Sequence, residues 1–268
     1  MNRAAAWALV VTAVGVLSCS PPAPEPRLLR IAGHEFAFTM PDTIPAGLVR
    51  VRFVNDGGFW HHALFAKLDS TQTAEGYLAA IRAGADFPPG AVDHGGPPLT
   101  VPGDSVDHVM TFTPGRWVAL CTASGGGVWH VAAGLCKGFV VTAPPPGRAA
   151  IPPMHDLELI MNDTGFVFPD TVRPGTRWVR IENRGRRWHE CDILRFVPGK
   201  GFADDRAWRP VEHLGTPAPG RPVGGTADFI PGDVQWSRVR FEPGVHELVC
   251  EMPGDSTHHR TFWVGGTP

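Results

Sequence analysis

Residues 121–135 read CTASGGGVWHVAAGL and separate two β-prone runs, 116–120 (RWVAL) and 138–141 (GFVV). Cys121 closes the first run, His130 follows after eight residues, and Leu135 after four more. A soft sulfur donor and an imidazole therefore sit on one glycine-rich loop between two strands. Upstream, residues 48–54 (LVRVRFV) alternate apolar and polar, the mark of a half-buried strand. The segment 55–62 (NDGGFWHH) follows and offers two more histidines. Neighbouring residues on a strand face opposite ways, so only one of His61 and His62 can join Cys121 and His130.

The chain repeats itself at a spacing of about 128 residues, and the repeat chooses between the two histidines. MPDTIPAG (40–47) returns as FPDTVRPG (168–175), and VPGD (101–104) as IPGD (230–233). Asn55 and His61 return as Asn183 and His189, Gly95-Gly96 as Gly224-Gly225, and Cys121 as Cys250. His62 returns as Glu190, which assigns His61 inward and His62 outward. A period this long means duplication of a domain, not a solenoid. With 32 Gly, 28 Pro and only 19% charged residues, the composition points to an all-β protein. The expected organisation is a sandwich over 27–143, a linker over 144–154 and a second sandwich over 155–266.

A trigonal set of two histidines and one cysteine, with a weak or absent axial ligand, suits a mononuclear copper ion of the blue type. The pattern Asn55, Gly57, His61, Phe65, then Cys121, His130, Gly134, Leu135, resembles the cupredoxin family. The loop 121–135 is similar to the type 1 copper loop of copper-containing nitrite reductases. The resemblance implies two tandem cupredoxin-like Greek-key β-sandwiches and copper held by His61, Cys121 and His130. In that family position 135 is usually an axial Met. Leu135 cannot ligate, which implies a three-coordinate site and a raised potential. A second site would use His189, Cys250 and His259, with His258 as the alternative. The rival reading is a degenerate copy kept for its fold.

The reductase and multicopper oxidase resemblances both require further copper ions bound by additional histidines. The chain has no His-x-His pair, Leu120 and Val249 precede the two cysteines, and Ala66 stands where the reductases place a further His. Enzymatic activity is therefore not expected. An electron carrier is expected, with copper delivery or a metal-free partner-binding module as the alternatives. The redox partner is not legible. With 24 basic and 26 acidic residues, nothing marks a nucleic-acid footprint.

Residues 1–18 have a basic start and a short apolar core, the form of a signal peptide. Val16-Leu17-Ser18-Cys19 resembles a bacterial lipobox, so Cys19 is the expected lipidation site. Residues 19–26 would then be a stiff Pro-rich spacer on a periplasmic or otherwise extracytoplasmic, membrane-anchored protein. Residues 73–83 have helical spacing, with Thr73 as cap and Gly84 as stop. Residues 41–47 read as a turn, 61–68 as a strand, and 198–222 as a helix-free crossing. His94 reads as a solvated loop residue and His108 as a packed or surface one. Cys136 and Cys191 are free to pair in an oxidising compartment. Trp60 and Trp129, each just before a candidate ligand, serve either as a shielding rim or as ordinary packing.

Overall fold

The computed structural model describes residues 23–85, 88–125, 127–208, 217–252 and 258–266. Cys19 and the signal segment lie outside these residues.

The first copy runs β1 (Arg27–Gly33), β2 (Phe38–Thr39), β3 (Thr43–Pro45), β4 (Gly47–Asn55), β5 (Leu64–Leu68), α1 (Ala74–Arg82) and β6 (Ala91–Asp93). It continues through β7 (Ser105–Phe112), β8 (Gly115–Leu120), the small β9 (Ser124–Gly125) and β10 (Val128–Trp129), α2 (His130–Ala133) and β11 (Cys136–Thr142). The second copy runs β12 (Leu157–Asn162), β13 (Gly165–Val167), β14 (Thr171–Val172), β15 (Gly175–Asn183), β16 (His189–Phe196) and α3 (Phe202–Trp208). It ends with β17 (Gly220–Phe229), β18 (Val234–Phe241), β19 (Gly244–Val249) and β20 (His259–Val264).

The chain is predominantly β, with two tandem sandwiches sharing one layer. One eight-stranded sheet, ordered β13-β12-β15-β18-β7-β4-β1-β2, runs through both copies. Each copy adds its own five-stranded sheet, β3-β11-β8-β5-β6 in the first and β14-β20-β19-β16-β17 in the second. The alternation read in residues 48–54 is real: Val49, Val51 and Phe53 are buried while Arg50 and Arg52 are partly exposed. β15 repeats the pattern with Val179 and Ile181 inward. Each copy has its own core, one centred on Phe53, Phe65, Phe112 and Trp117, the other on Phe229, Phe241 and Phe262.

The copies join edge to edge. β7 pairs antiparallel with β18, and His108 stands opposite Ser237, its own counterpart in the repeat. A local two-fold axis therefore passes through that residue pair. Two glycines permit close approach beside it. Gly96, at φ +143°, would place a Cβ 2.2 Å from the Ala63 carbonyl. Its counterpart Gly225, at φ +123°, would clash with the Cys191 carbonyl.

Several local expectations need correction. Residues 41–47 contain β3, which pairs parallel with β11. The strand expected from His61 begins only at Leu64, because His61 bonds instead to Thr100 through a two-bond bridge. The second copy does have a helix: α3 interrupts the Gly/Pro-rich crossing, with the Gly201 N–H donating to Asp204 at its start. His94 is not solvated. Its Nδ1 lies 2.9 Å from Asp233 Oδ2, and its ring packs on Trp117. Of the two readings of His108 the packed one holds: it is fully buried against Gln235. Cys136 and Cys191 are both free, since they belong to different packing clusters in different copies. Helix α1 matches its reading: the Thr73 hydroxyl accepts from the Gly76 N–H at 3.0 Å, and Tyr77 and Ile81 are buried.

Candidate metal centre

Three side chains converge at one end of the first sandwich. Nδ1 of His61 and Nδ1 of His130 are 3.1 Å apart, and Cys121 Sγ lies 3.8 and 3.7 Å from them. All three residues are 0% exposed. Among the described residues this is the one group of three such side chains close enough to share an ion. The point equidistant from the three atoms lies about 2 Å from each, close to metal bonds to imidazole nitrogen and thiolate (about 2.0–2.3 Å). Two fully buried imidazole nitrogens facing one another beside a sulfur form a donor set that fits a soft metal ion.

Each ligand position follows from local structure. Cys121 leaves the end of β8, and its backbone N–H donates to the Leu135 carbonyl at 3.1 Å. His130 opens the single turn α2, which Gly134 ends at φ +122°. The His130 N–H donates to Ala123 O, and the Leu135 N–H to His130 O. The loop is thus folded back on itself, with Leu135 fully buried in the core cluster that includes Cys121. His61 sits on a strap, its N–H donating to Thr100 O and the Thr100 N–H to His61 O.

Asn55 holds that strap. Its Nδ2 donates to Phe59 O and Thr100 O, both at 2.7 Å, and its Oδ1 accepts from the Gly57 N–H at 3.0 Å. Gly57 and Gly125 cover the far side of the two rings. A Cβ at either would lie 2.6–2.7 Å from the Nε2 of His61 or His130. The sequence marked Asn55 as a repeated residue and as part of the family-like pattern, but not as the residue that holds the His61 strap. Phe59 and Phe36 pack beside the His130 ring, with centroids 5.5 and 6.3 Å away.

His62 points away from the three, as its parity requires, but it is buried rather than outward. Its Nε2 accepts from the Thr122 N–H at 2.8 Å, and its own N–H donates to Cys121 Sγ at 3.4 Å. Glu190 does the same work in the second copy, accepting from the Glu251 N–H at 2.9 Å. Trp129 ties its indole N–H to Thr122 O. Trp60 packs at a tilt of 38° on Trp208 of α3, with centroids 5.2 Å apart, so it packs one copy against the other.

Burial favours the neutral forms of the His61 ring and the Cys121 thiol. Burial, then the neighbouring His130, lowers His61 to about 4. Burial raises the Cys121 thiol to about 12, partly offset by the N–H groups of His62 and Ala123. A bound cation reverses the balance at sulfur, so loading releases the thiol proton.

The second copy is arranged differently. His189 is buried with its Nε2 3.2 Å from Asp163 Oδ1. The His259 ring stacks on Phe202 at 4.1 Å, and its Nδ1 lies 3.9 Å from Glu247 Oε1. His258 has the nearer ring, with its centroid 6.0 Å from that of His189. Cys250 is buried, and its N–H donates to His258 O.

No protein-family model and no curated protein matches the chain. Among solved structures, an auracyanin from Roseiflexus castenholzii is 22% identical over 44% of this chain and 99% of its own, with a TM-score of 0.30. A blue copper oxidase from Nitrosomonas europaea is 15% identical over 90% and 86%, with a TM-score of 0.28. A copper-containing nitrite reductase from Thermus scotoductus is 16% identical over 90% of this chain and 61% of its own, with a TM-score of 0.25. Likeness at these scores carries no argument about the site.

Proposed function

We propose that this chain is an extracytoplasmic copper protein whose first sandwich carries single electrons at a type 1 site formed by His61, Cys121 and His130. The observation that carries this reading is the buried convergence of two facing imidazoles and one thiol from two backbone segments, the strap that carries His61 and the loop that carries Cys121 and His130. Copper, when bound there, supplies the one-electron couple. The chain's residues anchor the backbone of both histidines, His61 through Asn55 and Thr100 and His130 through Ala123, and cover the site with Phe59 and Leu135. A site so braced changes little between oxidation states, which favours fast transfer.

Complete burial of all three donors favours a carrier over a delivery protein, which needs an accessible ligand. The missing His-x-His pairs and the apolar Leu120 and Ala66 favour a carrier over an oxidase or reductase. The second copy serves as scaffold, since His259 is engaged with Phe202. The lipobox at Cys19 would tether the protein to a membrane, facing a redox partner protein.

Titrating copper into the metal-free chain tests the reading. One equivalent should bind and give an intense visible thiolate-to-Cu(II) band, which Cys121→Ser abolishes. Absence of stoichiometric copper would leave the metal-free, partner-binding alternative.

A further inference from the structure

The junction between the copies should contain two related pockets, one on each side of the local two-fold axis. One is filled. There His94 bonds to Asp233, and the Gln235 amide donates to the His94 carbonyl while its oxygen faces His108. The other is open, a cavity of about 330 Å³ between β7 and its neighbouring loop in the first copy and β16, β17 and β18 in the second. The repeat explains the difference. Val106 and Val223 stand in the open pocket where Gln235 and His94 stand in the closed one. Neither valine can span the gap with a polar group.

The open pocket has also become basic. Arg195, Arg221, Arg238 and Arg240 line it, against the carboxylates of Asp104 and Glu242. Their counterparts in the repeat are Lys67, Val92, Val109 and Thr111, so three of the four arginines are particular to this side. The carboxylates are shared. Arg221 pairs with Asp104, while Arg195 and Arg240 both reach Glu242, at 3.0 and 3.4 Å. Arg238 reaches Asp107 at 3.5 Å, but Asp107 already holds Arg50 at 2.7 Å and Arg52 at 3.2 Å. Guanidinium charge exceeds carboxylate charge throughout this region, in a chain whose net charge is −2. Arginine forks match the paired oxygens of phosphate-like and carboxylate groups.

We infer that this junction pocket binds a small divalent oxyanion of the phosphate or sulfate class, which the two-fold-related pocket has lost the space to hold. The inference is independent of metal at the His61 site, and it is tested on metal-free, full-length chain. Calorimetric titration with inorganic phosphate, at ionic strength fixed with chloride, should show one saturable site that sulfate competes for. The double substitution Arg238→Gln/Arg240→Gln should weaken binding at least tenfold. Both side chains are well exposed, 43% and 78%, so the urea midpoint should stay put. Arg30→Gln, at an exposed position on β1 away from the pocket lining, should leave the affinity unchanged. No saturable heat at millimolar phosphate overturns the inference. So does an affinity that falls equally in the Arg30 variant or survives the double substitution, since either means general screening of surface charge.

Discussion

Asn55→Ala separates the stability of the fold from the integrity of the site, because the duplication supplies its own control. Asn55 is fully buried and its side chain makes three hydrogen bonds, at 2.7, 2.7 and 3.0 Å. Asn183 makes the corresponding three, to Arg187 O, Phe229 O and the Gly185 N–H, at 2.9, 2.8 and 2.9 Å. At about 1 kcal/mol net for each bond, either alanine should destabilise by about 3 kcal/mol. For a chain of this size that lowers the melting temperature by about 6–12 °C. The two variants should differ in metal retention. Only Asn55 holds Phe59 and Thr100, and Thr100 holds His61. Competition against a chelator should therefore show weaker copper binding in Asn55→Ala and unchanged binding in Asn183→Ala. Equal retention in both variants would refute the idea that this strap positions His61.

Leu135→Met should lower the reduction potential, because a thioether at that position can add a weak axial bond. An unchanged potential and visible spectrum in voltammetry and absorption would remove position 135 from the axial role. His246 is fully buried against Phe262, and burial lowers it to about 4 from 6.5. The unfolded chain takes up that proton first, so its contribution is complete above pH 6.5 and is lost as pH falls through 4. His246→Leu should flatten the unfolding free energy between pH 6.5 and 4 by about 1.4 kcal/mol per pH unit, measured by urea titration. Gln235→Ala strands His108 and the His94 carbonyl at the junction. It should cost about 2–4 kcal/mol and split calorimetric unfolding into two transitions, whereas a single sharp transition would show the junction is held elsewhere.

The duplication and the sandwich class were legible because glycines, prolines and strand alternation recur in register. The choice of His61 over His62 came from the same recurrence, through Glu190. What the sequence hid were matters of long-range pairing. Nothing local shows that β7 and β18 join the copies into one sheet, since both read as ordinary half-buried strands. Helix α3 was masked by the glycines and prolines around it, although Asp204 and Asp205 in its first turn were a signal. His62 looked outward because parity gives the side of a strand but not what covers it. His259 shared the cysteine-to-histidine offset of His130, yet His130 opens the turn α2 whereas His259 opens strand β20. A stacking partner, Phe202, holds its ring instead.

X-ray absorption at the copper edge of the loaded chain tests the central claim most directly. Three donors should appear, two nitrogens and one sulfur, and the sulfur shell should vanish in Cys121→Ser. Copper surrounded only by nitrogen and oxygen in the unaltered chain, or a sulfur shell that survives that substitution, would contradict it.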